Sequence, residues 1–294
     1  MMRQRLFRSV QLCSIVLSVL LAALPASAGQ FTKLVVFGDS LSDTGAVFTL
    51  TQGAVPQSPP YYAGRFSNGP VWADYLSWAL DLPVENFAYG GAQTDQRNLF
   101  DGFMGIDFPG LSDEITLFTE QPGAIDPRAV YVVWAGANDF RAALSRHETP
   151  DIEAIVSNIL NAIGALDHAG AKYVVVPNLP NLGLTPEGRA SGSGPLVTFL
   201  SETFNAHLEQ ALAAQAPRAI RLDVFRLMNR TVNDPSEFGF TNVTTPCLTS
   251  AGVCAAPDQY LFWDHVHPTT HGHAVLAEKF AKAINQAVLR RHRR

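Results

Sequence analysis

Leu34-Val35-Val36-Phe37-Gly38-Asp39-Ser40-Leu41-Ser42 is the stretch whose reading decides the fold. An apolar, β-branched-rich run enters a glycine and then a set of small polar residues. Without polar alternation, such a run reads as a strand covered on both faces, and the glycine marks its end. Asp43, Thr44 and Gly45 follow with turn and helix-capping chemistry. Ser40 is therefore expected at a strand end beside a helix N-terminus, where backbone N–H groups and the helix dipole favour developing negative charge. A serine there also serves as a plain helix N-cap, and this stretch alone does not separate the two roles.

Working outward, similar runs recur. Strands are expected over Glu85–Ala88, Val130–Ala135, Lys172–Pro177 and Ala219–Phe225, besides Leu34–Phe37. Between them, helices are expected over Val71–Leu80, Leu111–Phe118, Asp151–His168, Leu196–Gln215 and Gly272–Val288. In the third of these, Ile152, Ile155, Val156, Ile159 and Ile163 form one stripe, and Gly170 stops the helix. Strands that are apolar throughout and separated by helices imply an α/β fold: a five-stranded parallel sheet covered on both faces, with working loops at the carboxyl ends of its strands. No repeat, low-complexity tract or dividing linker is present. Gly183–Pro195 and Leu99–Gly110 read as loops inside one domain spanning residues 29–294.

The first 28 residues are set apart. Arg3, Arg5 and Arg8 precede an apolar segment from Ser14 to Leu24, then Ala26-Ser27-Ala28. That layout is a secretory signal peptide, and its apolar stretch is short for a membrane span. A secreted or periplasmic protein is expected. The formal net charge is −5 and becomes more negative once the leader arginines are removed, which disfavours a nucleic-acid partner. The Arg290, Arg291, Arg293, Arg294 tail reads as a solvated helix end. Cys247 and Cys254 remain close together, and in an exported chain they point to a disulfide closing a small loop. A metal pair is the alternative, without a second cysteine pair to support it.

Three further blocks carry chemistry. Gly90-Gly91 and Gly136-Ala137-Asn138-Asp139 each fall after an expected strand, and Asp264-His265-Val266-His267-Pro268 lies near the end. Ser40 needs a base, which His267 supplies, while Asp264 holds the imidazole tautomer and stabilises the imidazolium. Pro268 keeps His267 extended and off the helix that follows. The Gly91 N–H and the Asn138 side-chain amide are donors for an oxyanion. Each block has an ordinary reading as a turn or cap; together they make an acyl-transfer site. No G-x-S-x-G elbow occurs. The crowd of Asp264, His265, His267, His271 and His273 also reads as a metal site, but its spacing matches no common zinc motif.

These blocks resemble those of the GDSL family of the SGNH hydrolases. Its serine block corresponds to Gly38-Asp39-Ser40-Leu41, its glycine block to Asn86–Ala92, its asparagine block to Gly136–Asp139 and its last block to Asp264–Pro268. The likeness runs from about Phe31 to Phe280 and includes Gly64-Arg65-Phe66-Ser67-Asn68-Gly69-Pro70, similar to the exported lipase/phospholipase branch. It implies a three-layer α/β/α flavodoxin-like sandwich. It also implies an acyl-enzyme on Ser40, with an oxyanion hole from the Ser40 N–H, Asn138 and Gly91 (or its neighbour Gly90), and no metal or organic cofactor. Many exported relatives carry a β-barrel after this domain; this sequence ends soon after its last helix, so display by autotransport is not expected.

The resemblance leaves the substrate open among acyl lipids, acetylated carbohydrate, and phospholipid acyl transfer to another alcohol. Phe100, Phe103, Met104 and Phe108 lie on a Gly-rich loop and are expected either to line an acyl pocket or touch lipid, or to pack beneath the loop as a small core. An exported lipid- or carbohydrate-binding protein with an idle site is the reading from another class, and it predicts no labelling of Ser40 by a fluorophosphonate. Asn229-Arg230-Thr231 and Asn242-Val243-Thr244 are glycosylation sequons that matter in a eukaryotic host.

Overall fold

Leu34–Gly38 forms β1, buried at every residue, and it lies inside the sheet rather than at its edge. This is a computed structural model that describes residues 30–291, so the expected signal peptide lies outside the described residues. The other main strands are β2 (Val84–Asn86), β3 (Val130–Trp134), β4 (Tyr173–Pro177) and β5 (Ile220–Leu222). They pair in the order β2-β1-β3-β4-β5, all parallel. That order is flavodoxin-like, and the crevice where the chain reverses direction across the sheet lies above β1 and β3. Gly38 pairs opposite Trp134, which brings the two strand ends level.

The helices are α1 (Ala46–Leu50), α2 (Trp72–Leu80), α3 (Leu111–Thr119), α4 (Ala137–Ser145), α5 (Ile152–Ala169), α6 (Pro186–Ala190), α7 (Gly194–Gln215), α8 (Val224–Asn233) and α9 (Thr270–Arg291). Alternate strand residues feed two cores. Val35, Phe37, Tyr131, Val133, Val174 and Val176 pack with α3, α5 and α7. Leu34, Val36, Val130, Val132, Trp134 and Val175 pack with α2, α8 and α9. The expected three-layer α/β/α sandwich is present. In α5 the Asp151 carboxylate accepts the Ala154 N–H at 3.0 Å, and Gly170 terminates the helix at φ 112°.

Two expectations need correction. The strand expected over Ala219–Phe225 ends at Leu222, because Asp223 accepts the Arg226 N–H at 2.9 Å and caps α8. No helix begins directly beside Ser40 either. Ser40 sits in a tight turn, with the Ser42 and Asp43 N–H groups donating to the Asp39 carbonyl, and α1 starts only at Ala46. The asparagine block lies at a helix start, its Asn138 and Asp139 in the first turn of α4 and Gly136 at the cap.

A second small sheet supports the histidine loop. β6 (Asn242–Pro246) pairs with β9 (Tyr260–Phe262), and a hairpin of β7 (Leu248–Thr249) and β8 (Gly252–Val253) is closed by the Cys247–Cys254 disulfide. Cys247 N donates to Phe262 O at 3.0 Å and Leu248 N to Trp263 O at 2.7 Å, which ties the hairpin to the run preceding Asp264. So short a ring removes little unfolded-chain entropy. Replacing both cysteines with serine is expected to lower unfolding free energy by about 2–3 kcal/mol in urea titrations while leaving the far-UV spectrum unchanged.

Candidate active site

The site begins with a close backbone approach. Gly38 has φ 148°, and a Cβ there would lie 2.1 Å from the Trp134 carbonyl oxygen, so only glycine lets β1 turn at this point. The turn carries Ser40 to the carboxyl end of the sheet. Its hydroxyl lies 2.8 Å from His267 Nε2, and His267 Nδ1 lies 2.7 Å from Asp264 Oδ2. With Nδ1–H donating to the carboxylate, Nε2 is the acceptor for the serine proton. The structure thus brings Ser40 to an acid–histidine pair whose imidazole lies 227 residues away in sequence.

Asp264 is saturated with donors. Oδ1 accepts the Val266 and His267 N–H groups at 2.8 and 2.7 Å, and Oδ2 accepts the Tyr61 hydroxyl at 2.7 Å besides the imidazole. Burial alone would push this carboxyl up. The charge of His267 and these hydrogen bonds outweigh burial and hold it below the ordinary carboxylate range. Asp264 is therefore ionised wherever the protein is folded at moderate pH.

The loop carrying the pair is fastened from several sides. Trp263 N donates to His267 O at 2.8 Å, and Glu187 N of α6 donates to His265 O at 2.9 Å. Ser67 Oγ donates to Pro268 O at 2.9 Å, and Asn68 Oδ1 accepts the Thr270 N–H at 2.8 Å. The Phe66 ring packs against His267 at 5.3 Å between centroids. The other histidines stand apart. His271 Nδ1 donates to the Asp258 carbonyl, and His273 is fully buried on α9. Burial, then the charge of His267, pushes His273 down to about 3, so it is neutral. Among the described residues, no three His, Cys, Asp or Glu side chains are arranged to hold a metal.

The glycine and asparagine blocks meet the serine turn. Gly90 N donates to Asp43 Oδ2 at 2.9 Å, whereas Gly91 N and Ser40 N donate to no group of the chain among the described residues. Of the two glycines, Gly91 is the one whose amide is still free. Gly91 has φ 83°, and a Cβ there would meet Asn98 Oδ1 at 2.3 Å. Asn138 lies buried on the first turn of α4, and its Nδ2 spends one hydrogen on the Ala92 carbonyl at 3.0 Å. Its second hydrogen remains available.

Three carboxylates lie buried beneath this surface. Glu114 of α3 accepts Gly38 N at 2.7 Å and Tyr89 N at 3.1 Å, bridging the serine and glycine loops. Burial pushes it well above its ordinary value. Asp43 accepts the N–H groups of Gly45, Ala46, Val47 and Gly90, and burial raises it too. Asp39, whose Oδ1 accepts Leu41 N at 3.0 Å, is pushed up to about 6 by burial, against the opposing pull of that N–H and the charges of His267 and Arg141. Tyr61 and Glu114 carried no motif in the sequence, whereas Asp43 was expected only as turn and helix-capping chemistry. Only the nearness of Tyr61 to the Gly64–Pro70 segment pointed toward it.

A cavity of about 810 Å³ reaches Ser40, Asn138 and His267. Its other walls are largely apolar: Leu182, Val197 and Leu200 near α6 and α7, Leu227 and Met228 on α8, and Val275 and Leu276 on α9. The expected aromatic loop does not line it, except at Leu99. Phe108 is buried, Phe100 stacks on Phe66 at 6.1 Å between centroids, and Phe103 and Met104 face outward. Phe100 and Phe108 therefore form a small core beneath the loop, the alternative left open above, because the Phe66 and Val47 side chains offer them a dry surface.

A flavodoxin-like sheet with a serine–histidine–aspartate chain above its topological switch defines a serine ester hydrolase. The chain belongs to the family described as GDSL-like Lipase/Acylhydrolase, whose model matches residues 34–280. It is 29% identical to a phosphatidylcholine-sterol acyltransferase of Aeromonas hydrophila, over 88% of this chain and 91% of that protein. It is 30% identical to a thermolabile hemolysin of Vibrio parahaemolyticus, covering 87% of this chain and 64% of the hemolysin. Esterase EstA of Pseudomonas aeruginosa is also 30% identical, over 95% of this chain but 50% of EstA. Among solved structures, Est24, a carbohydrate acetylesterase from Sinorhizobium meliloti, shares the fold at TM-score 0.50 and 17% identity, covering 88% of this chain and 99% of Est24.

The raised carboxyl of Asp39 has a consequence for stability. Its proton is held more tightly in the folded chain than at the ordinary value of 3.8. The stability it contributes is full below pH about 4 and is lost as pH rises through about 6. Asp39→Asn removes that loss. Its unfolding free energy relative to wild type is expected to rise by up to about 3 kcal/mol between pH 4 and pH 7.5 in urea titrations.

Proposed function

We propose that the protein hydrolyses lipid carboxylic esters through an acyl-enzyme on Ser40. The observation that carries this reading is the unbroken Ser40–His267–Asp264 chain, at 2.8 and 2.7 Å. Ser40 Oγ attacks the ester carbonyl as His267 Nε2 takes its proton, and Asp264 stabilises the imidazolium. The N–H groups of Ser40 and Gly91 and the spare hydrogen of Asn138 Nδ2 receive the oxyanion. His267 then protonates the departing alcohol, and the acyl-enzyme is cleared by water that His267 activates in turn. No step calls for a metal or an organic cofactor.

The lipid assignment is supported by the cavity. An acetyl group would fill a small part of about 810 Å³ of mostly apolar space beside Ser40. The Aeromonas hydrophila relative is named for phosphatidylcholine, which fits the same direction. Exposed Phe103 and Met104 are placed to touch a lipid surface in passing. We read residues 29–294 as one catalytic domain behind a cleaved leader, acting outside the cytoplasm. The relative named a secreted effector protein, from Salmonella typhimurium, is in keeping with export. No helix among the described residues is long and apolar enough to cross a membrane.

Ser40→Ala is expected to lower kcat by at least about 10³-fold and to abolish fluorophosphonate labelling without changing the thermal midpoint. Asn138→Ala is expected to lower kcat about 10²–10³-fold with KM little changed, the signature of a donor used in the transition state. A chain-length series of p-nitrophenyl esters, run beside phosphatidylcholine and acetylated xylan, tests the substrate. Preference for acetyl esters over medium and long chains would refute the lipid reading.

A further inference from the structure

Tyr61 belongs to the loop between α1 and α2, far from the blocks that carry the reaction, yet its hydroxyl donates to Asp264 Oδ2 at 2.7 Å. The same oxygen accepts His267 Nδ1 at 2.7 Å. A carboxylate oxygen shared between two donors gives each less of its negative charge than it would give one alone. The phenol and the imidazole therefore compete for Oδ2, and the outcome of that competition is felt at Nε2, where Ser40 waits. We infer that Tyr61 is a positioning residue of the hydrolytic reaction: its hydroxyl fixes the Asp264 carboxylate and draws charge from the oxygen facing His267, which sets the pH at which the imidazole becomes a free base. This rests on the proposed roles of Ser40, His267 and Asp264.

The geometry makes Tyr61 suited to this task. Its ring is held edge-on to Trp263 at 6.3 Å and to Phe66 at 6.4 Å between centroids, so the hydroxyl is aimed by two flanking aromatic walls. Both walls belong to the site: Trp263 N closes the histidine loop on His267 O, and Phe66 packs on the imidazole. Burial, then the charge of Asp264, pushes the phenol above its ordinary range, so it stays a neutral donor at every pH where the protein works. Because Oδ1 is occupied by the Val266 and His267 N–H groups, the carboxylate cannot swing away to find a replacement for the lost phenol without breaking those bonds.

Asp39 and His273 interact with His267 directly, and other titratable groups of the site lie on neighbouring elements. Asp39 lies under the serine turn, His273 lies on α9, and His265 is on the same loop. The Arg141–Glu187 pair joins α4 to α6 with Nε–Oε2 at 2.9 Å beside the cavity. His273 is held neutral, whereas Asp39 changes charge near pH 6 and bends the acid side of any profile. These groups are common to wild type and a Tyr61 variant, so a difference between the two profiles reports on Tyr61.

Tyr61→Phe keeps the ring and removes the hydroxyl. Removing a donor from Asp264 strengthens its pull on the imidazolium, so His267 holds its proton to higher pH. The acid limb of kcat/KM for a p-nitrophenyl ester is expected to move up by about 0.5–1 pH unit, with plateau kcat reduced less than about tenfold and KM unchanged. A second measurement follows the His267 Cε1–H resonance by NMR in Ser40→Ala and in Ser40→Ala/Tyr61→Phe, where turnover plays no part. The midpoint is expected to rise by a similar amount in the double variant. Tyr62→Phe, which alters the exposed neighbouring ring, is expected to move neither limb nor resonance. An acid limb and a resonance that both stay put, or a loss of kcat/KM equal at every pH, would overturn the inference. Retained hydrolysis in Ser40→Ala would instead overturn the underlying assignment, and the NMR comparison would still decide whether Tyr61 governs His267.

Discussion

A carboxylate sealed from water holds the two halves of the site in register. Glu114 accepts one N–H from the end of β1 and one from the loop after β2, and its side chain is fully buried. A buried acid costs several kcal/mol unless its oxygens are bonded. Here the compensation comes from the Gly38 amide and from the Tyr89 amide, which is shared with the Gly38 carbonyl, so the carboxylate and the two loops stabilise one another. Asp43 repeats the device with four amides, one of them Gly90 N. This consumption of neighbours explains why the Gly91 and Ser40 amides stand free. The carboxylate oxygens of Glu114 and Asp43 are already filled by other amides, and Gly91 itself has a left-handed φ of 83°.

The histidine side obeys the same logic in reverse. There the carboxylate is the anchored element, with its oxygens filled by two backbone and two side-chain donors. Its loop is bonded to Ser67, to Asn68 through Thr270, and to α6 through Glu187 N. The Gly64–Pro70 segment gains a physical meaning from this: it is the buckle between α2 and the start of α9. Gly69 is required because a Cβ would meet Thr270 Oγ1 at 2.6 Å. On the proposed reading, an imidazole so fixed loses little freedom when it takes the proton, which is how orientation is converted into rate.

The middle of the sheet was legible because β1, β3 and β4 are buried along almost their whole length and so read as apolar runs, whereas the edge strands β2 and β5 each carry a charged, exposed residue. The helices packed on it were legible where one stripe repeats, as in Ile155, Val156, Ile159 and Ile163. The start of α8 was not, since Ile220 to Val224 alternates apolar and charged residues as a strand does, and the capping role of Asp223 depends on which amides reach it. The triad could be read from residue types, because the chemistry demands a base and an orienting acid. Tyr61 could not: a single phenol in a loop has no periodicity, and its partner lies 203 residues away. The cavity was equally hidden. Its walls come from α4, α7, α8 and α9, each contributing residues whose local pattern says only that they are buried.

On the proposed reading, this layout also orients a substrate. The oxyanion donors and the imidazole stand where the polar ends of the strands meet the apolar cavity, so an ester carbonyl at Ser40 lies on the boundary between the two. An acyl chain gains about 0.8 kcal/mol for each methylene moved from water into the apolar side. No comparable gain is available to the alcohol portion if it remains among exposed groups such as Arg141 and Glu187. That exposed pair contributes little to stability by itself, and it links α4 to α6 at the cavity wall. On that reading the cavity discriminates mainly by the chain it buries, whereas the reacting atoms are positioned by two backbone amides, the Asn138 side-chain amide and one imidazole, which make no distinction among alcohols.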